Sequence, residues 1–321
     1  MAKQILTVQP TDEDQRIEKF LRQLGISYIT ASQIVRKGNV KINGERKKQS
    51  TIIHSGDVIE VFGIDPLVKS TPLRKEYKGL ADEIMNDLLY KDDNILILNK
   101  PAGIAVQGGN KVKISIDDLA EYFKFNLEDK PKLVHRLDRD TSGILVMARN
   151  TPTAKVLSEM FKASGTIKKY YLALCHGYPN QSEGTISIPL AKTKFDKEIV
   201  SYSSEIGDRA ITHYKVLKHN TKFSLIKFQI ITGRTHQIRA HCGISGIPVI
   251  GDNKYNCEYF DKVQSILSNK NFTLNTKRLT QYKYNKLCLH SQEIEFELFD
   301  KKIIVNAPIP IDFQLMINKL L

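Results

Sequence analysis

Residues 134–150 read VHRLDRDTSGILVMARN, a polar run followed directly by an apolar one. The polar part, from His135 to Ser142, contains two arginines and two aspartates, and it has neither the period of an amphipathic helix nor the alternation of a strand. The apolar part, residues 143–149, has the length and composition of a buried strand. We therefore predict a charged loop that is held in place by the strand after it.

Other strands are predicted on both sides of this segment, and few helices separate them. The clearest helix starts at Thr151-Pro152, where proline occupies the first turn. Strands that follow one another with few helices between them favour antiparallel pairing. The sequence therefore predicts an α+β fold, with a mixed and mainly antiparallel sheet flanked by helices. The predicted strands are 95–99, 143–149, 169–176, 212–217 and 223–232.

A second polar cluster, TGRTHQIRAHCGISGIPVIGD, spans residues 232–252, and we predict a helix after Gly233. Its histidines, His236 and His241, are five residues apart with no Glu between them. Zinc-binding pairs on one helix face are four apart, so the spacing predicts no metal site. Arg234, at the expected helix N-terminus, is suited to pair with a carboxylate or to bind a phosphate.

Two further segments are less informative by themselves. KKYYLALCHG, residues 168–177, alternates apolar and polar positions and places Tyr171 on a strand. Alone, this pattern is more typical of a half-buried strand tyrosine than of a catalytic one. NKPAGIAVQGG, residues 99–109, is a strand end followed by proline and glycine turns.

The first sixty residues predict a small separate unit of two helices and two hairpins. Helical spacing recurs around Ile17–Leu24, a second helix runs over Thr30–Arg36, and Asn43-Gly44 is typical of a hairpin turn. Six basic residues but one acid occur between positions 36 and 48. They form either a solvated face or an RNA backbone site, and we favour RNA because they bracket a helix end and a strand start. These residues are Arg36, Lys37, Lys41, Arg46, Lys47 and Lys48.

The composition limits the class of protein. The chain has 321 residues with 48 Lys+Arg and 35 Asp+Glu, a formal net charge of +13, which favours a polyanionic partner. It contains no apolar stretch of about 18 residues and no signal-peptide pattern at its start, so we expect a cytoplasmic protein. Four cysteines without a CxxC pair predict neither a disulfide scaffold nor a zinc knuckle.

These motifs resemble two known families. Residues 14–62 resemble the S-four-like RNA-binding domain. The HRLD-x-x-TSG motif at 135–143, Lys169-x-Tyr171-x-Ala173, TGR-x-HQIR-x-H at 232–241 and Leu289-His290-Ser291, where the family has Leu-His-Ala, resemble the pseudouridine synthases of the ribosomal large-subunit and A-type class. They look closest to the C-type branch, which modifies bacterial 23S rRNA. The resemblance implies an RNA-binding domain at 1–64, a linker at 65–86 and a catalytic domain at 87–321.

The resemblance also implies a reaction and roles for residues. Uridine becomes pseudouridine when the bond between uracil N1 and the ribose breaks and the uracil rejoins the same ribose through C5, without metal, redox or nucleotide cofactor. Asp138 would act on the ribose as nucleophile or base, and Arg234 would pair with Asp138. Tyr171 would stack on the uracil and assist the late removal of a proton. Arg136 would fill the gap left by the flipped nucleotide. Further substrate contacts would come from His135, Thr141 and Leu289. The implied partner is 23S rRNA, with no membrane and no obligate protein partner.

Two other functions are compatible with parts of the sequence. An aspartyl phosphatase is suggested by Asp138-x-Asp140-Thr141, but such loops follow a continuous buried strand and carry Gly before the Thr, whereas His-Arg-Leu precedes Asp138 here. Magnesium dependence would separate the two. A non-catalytic RNA-binding or ribosome-assembly factor is disfavoured, because pure RNA binding has no need for a carboxylate beside the RNA.

Overall fold

The computed structural model describes residues 3–24, 26, 28–63, 75–109, 112–195, 198–203, 207–256 and 284–321. The segment 262–286 has six basic and no acidic residues, a composition that predicts a basic insertion. It lies outside the described residues except for its last three positions. The chain divides into two compact units. The first contains Met1–Asp82 and Gln107–Phe125, and the second contains Glu83–Val106 and Asn126–Leu321.

The first unit is built on a four-stranded antiparallel sheet in the order β1-β6-β3-β4, and β2 pairs with β5 beside it. Its strands are β1 (Lys3–Thr7), β2 (Gln15–Arg16), β3 (Val40–Ile42), β4 (Glu45–Arg46), β5 (Ile52–Ile53) and β6 (Val58–Phe62). Its helices are α1 (Ile17–Gln23), α2 (Tyr28–Arg36) and α4 (Ile116–Leu119). The helix α3 (Lys75–Asn86) contains the boundary between the units.

The core of this first unit confirms the predicted helices and turn. Phe20 and Leu21 of α1 pack with Ile34 and Val35 of α2 on the sheet, which is the helical spacing read from the sequence. The turn at Asn43-Gly44 has positive φ at both residues, 51° and 81°. That geometry joins two strands with the twist of a sheet, so the residue types explain the hairpin.

The second unit contains a ten-stranded sheet in the order β12-β15-β16-β11-β17-β10-β8-β7, with β18 paired to β17 and β9 to β10. Its strands are β7 (Leu88–Lys91), β8 (Ile95–Lys100), β9 (Lys132–Leu133), β10 (Ser142–Ala148), β11 (Lys168–His176), β12 (Glu183–Ser187), β15 (Ile211–His219), β16 (Phe223–Ile230), β17 (Leu289–Leu298) and β18 (Lys301–Asn306). Strands β13 (Leu190–Phe195) and β14 (Glu198–Ser203) form a separate hairpin.

Within this ten-stranded sheet, β10 and β17 are parallel and the remaining pairs are antiparallel. The predicted α+β class and the predicted mixed, mainly antiparallel sheet are therefore confirmed. The helices of this unit are α5 (Thr151–Lys162), α6 (Gln237–Ile244) and α7 (Ile311–Leu320). Asn150 caps α5 by accepting a hydrogen bond from the Thr153 N–H, and proline stands in the first turn, as predicted.

Strand β10 fixes the charged loop before it. All seven of its residues are buried, between β8 on one side and β17 on the other. Gly143, at its start, has φ +103°, and a Cβ atom there would collide with the carbonyl oxygen of Ser291 on β17. Glycine at this position therefore lets the two backbones approach immediately after the loop.

Three of the four cysteines lie within the described residues. Cys175, Cys242 and Cys288 are buried free thiols, and Cys257 lies outside the described residues. Among the helices in the described ranges, none is long and apolar enough to cross a membrane.

Candidate active site

The loop from Val134 to Thr141 presents Asp138, whose side chain is 19% exposed. A buried lysine, Lys100, binds the backbone of this loop. The Lys100 ammonium donates to the carbonyl oxygens of Pro101 at 2.8 Å, Ile104 at 2.9 Å and Arg139 at 3.0 Å. Burial lowers the pKa of Lys100 to about 7, against the opposing charges of Asp140 and Asp138. The backbone next to Asp138 is thus tied to the end of β8.

Arg239 contacts Asp138 and is itself held by a second carboxylate. Its Nη1 lies 3.4 Å from Oδ2 of Asp138. Its Nε and Nη2 donate to Asp252 at 2.7 and 2.9 Å, in a two-pronged pair that is almost fully buried. Burial disfavours both charges, but their mutual hydrogen bonds and attraction prevail, raising the pKa of Arg239 and lowering that of Asp252. Arg239 is therefore a fixed cation beside Asp138.

His236 faces the other oxygen of Asp138. Its Nε2 lies 3.8 Å from Oδ1 of Asp138, and its Nδ1 lies 2.9 Å from the Tyr255 hydroxyl. The residue precedes α6 with φ 54° and ψ 25°, a left-handed conformation. Burial lowers the pKa of His236 to about 4 although Asp138 opposes the shift. The imidazole is consequently neutral at pH 7.

Tyr171 lies near this group on β11. It is buried and stands directly opposite Ser291 of β17 in the antiparallel ladder. Burial raises the pKa of Tyr171 to about 12; a hydrogen bond with the Ser291 side chain opposes the shift, and the charge of Asp138 adds to it. Leu289, also buried, begins β17 opposite Ala173. Tyr171 is thus a neutral phenol within the electrostatic reach of Asp138.

Three other residues of this loop, His135, Arg136 and Thr141, differ in their exposure and contacts. His135 accepts the Val146 N–H at Nε2 (2.8 Å) and stacks on Phe161. Burial and the Lys169 charge lower the pKa of His135 to about 3, so its ring is neutral at pH 7. Its contacts connect the loop to β10 and α5. Arg136 is exposed. The Thr141 hydroxyl is buried and has no hydrogen-bond partner among the described residues.

The predicted pair between Arg234 and Asp138 is not formed. Arg234 is 42% exposed, donates to the Arg209 carbonyl oxygen at 3.1 Å and lies 3.3 Å from Asp208. The reason is local: α6 starts at Gln237 rather than near Arg234, and Gln237 Oε1 accepts the Arg234 N–H in the turn before it. The guanidinium that contacts Asp138 belongs to Arg239 rather than to Arg234. The only sequence signal for it is its place in the same HQIR stretch.

The six basic residues of the first unit are placed mostly on its surface. Arg36 ends α2, Lys41 lies on β3 opposite Arg46 of β4, and Lys47 pairs with Glu45 at 2.6 Å. Lys41 is half-buried with its ammonium 5.7 Å from the centre of the Phe62 ring. The remaining five side chains are exposed.

The second unit therefore holds the largely buried carboxylate of Asp138 between the guanidinium of Arg239 and the neutral imidazole of His236. The neutral phenol of Tyr171 lies near them. A carboxylate in these surroundings has the chemistry of a nucleophile or of a base. Among the described residues, no group of three His, Cys, Asp or Glu side chains is arranged to hold a metal ion.

Comparison with known proteins agrees with both halves of this description. The profile for RNA pseudouridylate synthase matches residues 94–243, and the profile for the S4 domain matches residues 15–59. The chain is 35% identical to ribosomal large subunit pseudouridine synthase C of Rickettsia typhi, over 75% of this chain and 82% of that protein. Proteins of the same name from Rickettsia bellii and Buchnera aphidicola subsp. Baizongia pistaciae are 32% and 33% identical, over 92% and 98% of this chain and 94% and 97% of theirs.

The fold also matches a solved structure. Human RNA Pseudouridylate Synthase Domain Containing 4 superposes with a TM-score of 0.59 at 24% identity, covering 76% of this chain and 97% of that one. This likeness concerns the fold.

Proposed function

Because this chain belongs to the RNA pseudouridylate synthase family, we propose that it isomerises specific uridines of 23S ribosomal RNA, with Asp138 as the catalytic carboxylate. The chain is an RNA pseudouridine synthase with an S4 domain near its N-terminus. One observation carries the assignment to Asp138. Its two carboxylate oxygens face Arg239 Nη1 and His236 Nε2 at 3.4 and 3.8 Å, on a loop anchored by Lys100 and His135.

The reaction sets what this carboxylate must do. The bond between uracil N1 and ribose C1′ breaks, the uracil turns, C5 bonds to C1′, and the proton of C5 leaves while N1 takes one up. The sum is an isomerisation, so no oxidant or reductant is consumed. Asp138 acts either as the nucleophile at C1′ or as the base that removes a ribose proton. Arg239, held by Asp252, orients Asp138 in both cases.

Tyr171 and Leu289 form the proposed floor for the uracil. With a pKa raised to about 12, Tyr171 remains a neutral phenol at pH 7. This supports stacking and hydrogen bonding to the base more than removal of the C5 proton. The buried Thr141 hydroxyl lacks a partner among the described residues, which makes it a candidate donor to the substrate. His135 contributes by holding the loop.

Reaching C1′ requires the uridine to leave the RNA stack. We assign the filling of the vacated position to Arg136, whose exposed side chain neighbours the catalytic loop residues. Arg234 is exposed as well, and a contact with the RNA backbone suits it better than a pair with Asp138.

The first unit supplies affinity. Lys41 and Arg46 are directly opposite each other across β3 and β4, an arrangement of like charges that destabilises a sheet unless an anion neutralises it. Phosphates of rRNA provide that anion. We assign residues 1–64 to RNA binding, 65–86 to a linker and 87–321 to catalysis. Ribosomal RNA before or during large-subunit assembly, in the cytoplasm, is the proposed partner.

The test is to map pseudouridines in 23S rRNA from cells that lack this gene and carry either the wild-type chain or a variant. Asp138→Asn is expected to restore no pseudouridine, because an amide is neither a nucleophile nor a base of comparable strength. Asp140→Asn is the matched control: its carboxylate pairs with the exposed side chain of Arg139.

We expect Asp140→Asn to restore the modification. Tritium release from RNA labelled at uracil C5 gives the rate in vitro for the same three proteins. The proposal is rejected if deletion leaves the 23S pseudouridine map unchanged, or if Asp138→Asn turns over within tenfold of the wild-type rate.

A further inference from the structure

Asp138 and four other residues form a closed ring of contacts. Asp138 contacts Arg239, Arg239 pairs with Asp252, and Asp252 accepts the Tyr255 backbone N–H at 3.1 Å. The Tyr255 hydroxyl then meets His236 Nδ1 at 2.9 Å, and His236 Nε2 returns to Asp138 at 3.8 Å. We infer that His236 is a positioning residue for Asp138, and that Tyr255 sets the tautomer in which His236 acts.

The tautomer follows from the two neighbours of the imidazole. A neutral imidazole carries one proton, on Nδ1 or on Nε2. If Nδ1 carried it, the lone pair of Nε2 would point at the Asp138 carboxylate and repel it. When the Tyr255 hydroxyl donates to Nδ1, the proton lies on Nε2 and faces Oδ1 of Asp138. The carboxylate is then approached by a donor on each oxygen, Nε2–H on one and Nη1–H on the other.

The distance of 3.8 Å is longer than a direct hydrogen bond. In the free protein the contact is therefore electrostatic, and catalytic hydrogen bonds commonly shorten when substrate closes the site. The inference rests on the proposed function, since a positioning residue for Asp138 has meaning only if Asp138 acts on the substrate.

The backbone of His236 is further support. A histidine with φ 54° is in the left-handed region that most residues avoid, and such residues persist where the surroundings hold them for function. Asparagine adopts this conformation more readily than most residues. If His236 served only the turn before α6, asparagine would replace it well.

Tyr255 is suited to hold the residues around Asp138 in place, because it is fully buried and makes three separate contacts with them. Its backbone N–H binds Asp252, its ring lies 5.2 Å from the Arg239 guanidinium, and its hydroxyl meets His236. Tyr255→Phe keeps the first two contacts and removes the third. It therefore isolates the tautomer without loosening the Arg239–Asp252 pair.

The first measurement is the single-turnover rate of tritium release at saturating enzyme, together with the Kd for the same rRNA fragment. We expect Tyr255→Phe to lower the rate by roughly five- to tenfold, the loss of one hydrogen bond of ordinary strength, at unchanged Kd. Tyr90→Phe is the matched control, because it also removes a hydroxyl that meets a side chain, Asp92, away from Asp138. Its rate should equal that of the wild type, and an unchanged rate in Tyr255→Phe would overturn the inference.

The second measurement compares His236→Gln with His236→Asn. The glutamine amide places an N–H donor where Nε2 was, whereas asparagine reaches only the position of Nδ1. Positioning of Asp138 predicts a faster single-turnover rate for Gln than for Asn, although Asn suits the left-handed backbone better and should give the higher Tm. A rate order that follows Tm would mean that His236 has a purely structural role and would overturn the inference.

A third readout reports the tautomer directly. Nitrogen-15 NMR of imidazole-labelled protein distinguishes protonated from unprotonated ring nitrogens, and the spectrum of His236→Gln identifies the His236 signals by their loss. We expect protonated Nε2 in the wild type and a mixture in Tyr255→Phe; protonated Nδ1 in the wild type contradicts the inference. Asp138→Asn, run in the same rate assay, separates the two hypotheses. If it is active, the proposed function fails; if it is inactive while Tyr255→Phe is fully active, only this inference fails.

Discussion

The charges around Asp138 and the basic residues between Arg36 and Lys48 are organised in opposite ways. In the second unit, Arg239 and Asp252 are almost fully buried, and each makes short contacts that fix its direction. In the first unit, five of the six basic side chains are exposed, and Lys47 is the one with a carboxylate partner among the described residues.

This difference predicts that the buried charges affect the reaction and that the exposed charges affect the binding of RNA. A buried charge interacts strongly with its neighbours, because little water screens it, so its geometry determines what it can do to a bound substrate. An exposed charge is screened and contributes little to any one contact, but several together attract a polyanion and release its counterions. We therefore expect changes in the buried group to alter turnover and changes in the exposed group to alter binding.

Among the residues that surround Asp138, Arg239 is expected to give the largest effect when it is replaced. Arg239→Lys removes the two-pronged pair with Asp252, because a single ammonium cannot occupy both positions. We expect the single-turnover rate to fall about a hundredfold, as when one preorganised donor is lost from an active site, and Tm to fall as well. The Kd for rRNA should change little.

Arg234→Lys is the matched control, the same substitution at an exposed guanidinium. Its pair with Asp208 is worth at most about 1 kcal/mol, so we expect a rate within about fivefold of the wild type. If Arg234→Lys instead matches the loss in Arg239→Lys, then Arg234 moves to Asp138 when RNA binds, and the comparison between buried and exposed charges fails at this site.

A smaller effect, on binding alone, is expected in the first unit. Replacing Arg36, Lys37 and Lys41 by alanine should weaken rRNA binding and flatten its salt dependence. Each lost phosphate contact to a single strand reduces the log–log slope by about 0.7, so three reduce it by roughly two. Single-turnover rates at saturating enzyme should recover to near the wild-type value.

The control for this triple variant removes the same charge from elsewhere. Lys215, Lys218 and Lys222 are exposed in the second unit. Their replacement by alanine tests whether net charge alone sets the salt slope. Binding isotherms between low and moderate salt give the slopes, and equal slopes in the two triple variants would reduce the basic run of the first unit to a solvated face.

The smallest expected effect is on the pH dependence of the free energy of unfolding. It tests how strongly burial disfavours the protonated form of a histidine. Burial lowers the pKa of His176, which is 3% exposed, to about 4, from about 6.5 in the unfolded chain. Between these values the unfolded chain binds a proton that the folded chain does not. The contribution of His176 to stability is therefore complete above pH 6.5 and is lost as pH falls toward 4.

His176→Gln removes this titration. Its unfolding free energy should depend less steeply on pH within that window, by up to about 1.4 kcal/mol per pH unit, while the two curves run parallel above pH 7. Urea unfolding at a series of pH values measures both slopes. Equal slopes for the wild type and the variant below pH 6.5 would mean that His176 takes up its proton equally in the folded and the unfolded protein.

Much of the fold could be read from local patterns. The alternation or continuity of apolar residues placed β8, β10, β11, β15 and β16 within a few residues of their observed ends. The Asn43-Gly44 turn and the capped start of α5 followed from the conformations that these residues prefer. Motif resemblance then located the loop that carries Asp138.

The α+β class, the charged loop before β10 and the basic run of the first unit follow from the amino-acid sequence alone, because each depends on neighbours within a few positions. The partners of Asp138 depend on tertiary structure. Arg239 is 101 residues from Asp138 along the chain, and Tyr255 is 19 residues from His236. Arg234 and Arg239 are chemically equal in the sequence; the start of α6 at Gln237 directs one to Asp208 and the other to Asp138. The start of α6 and strand pairings such as β10 with β17 are decided by packing between distant segments, and local preference does not encode them.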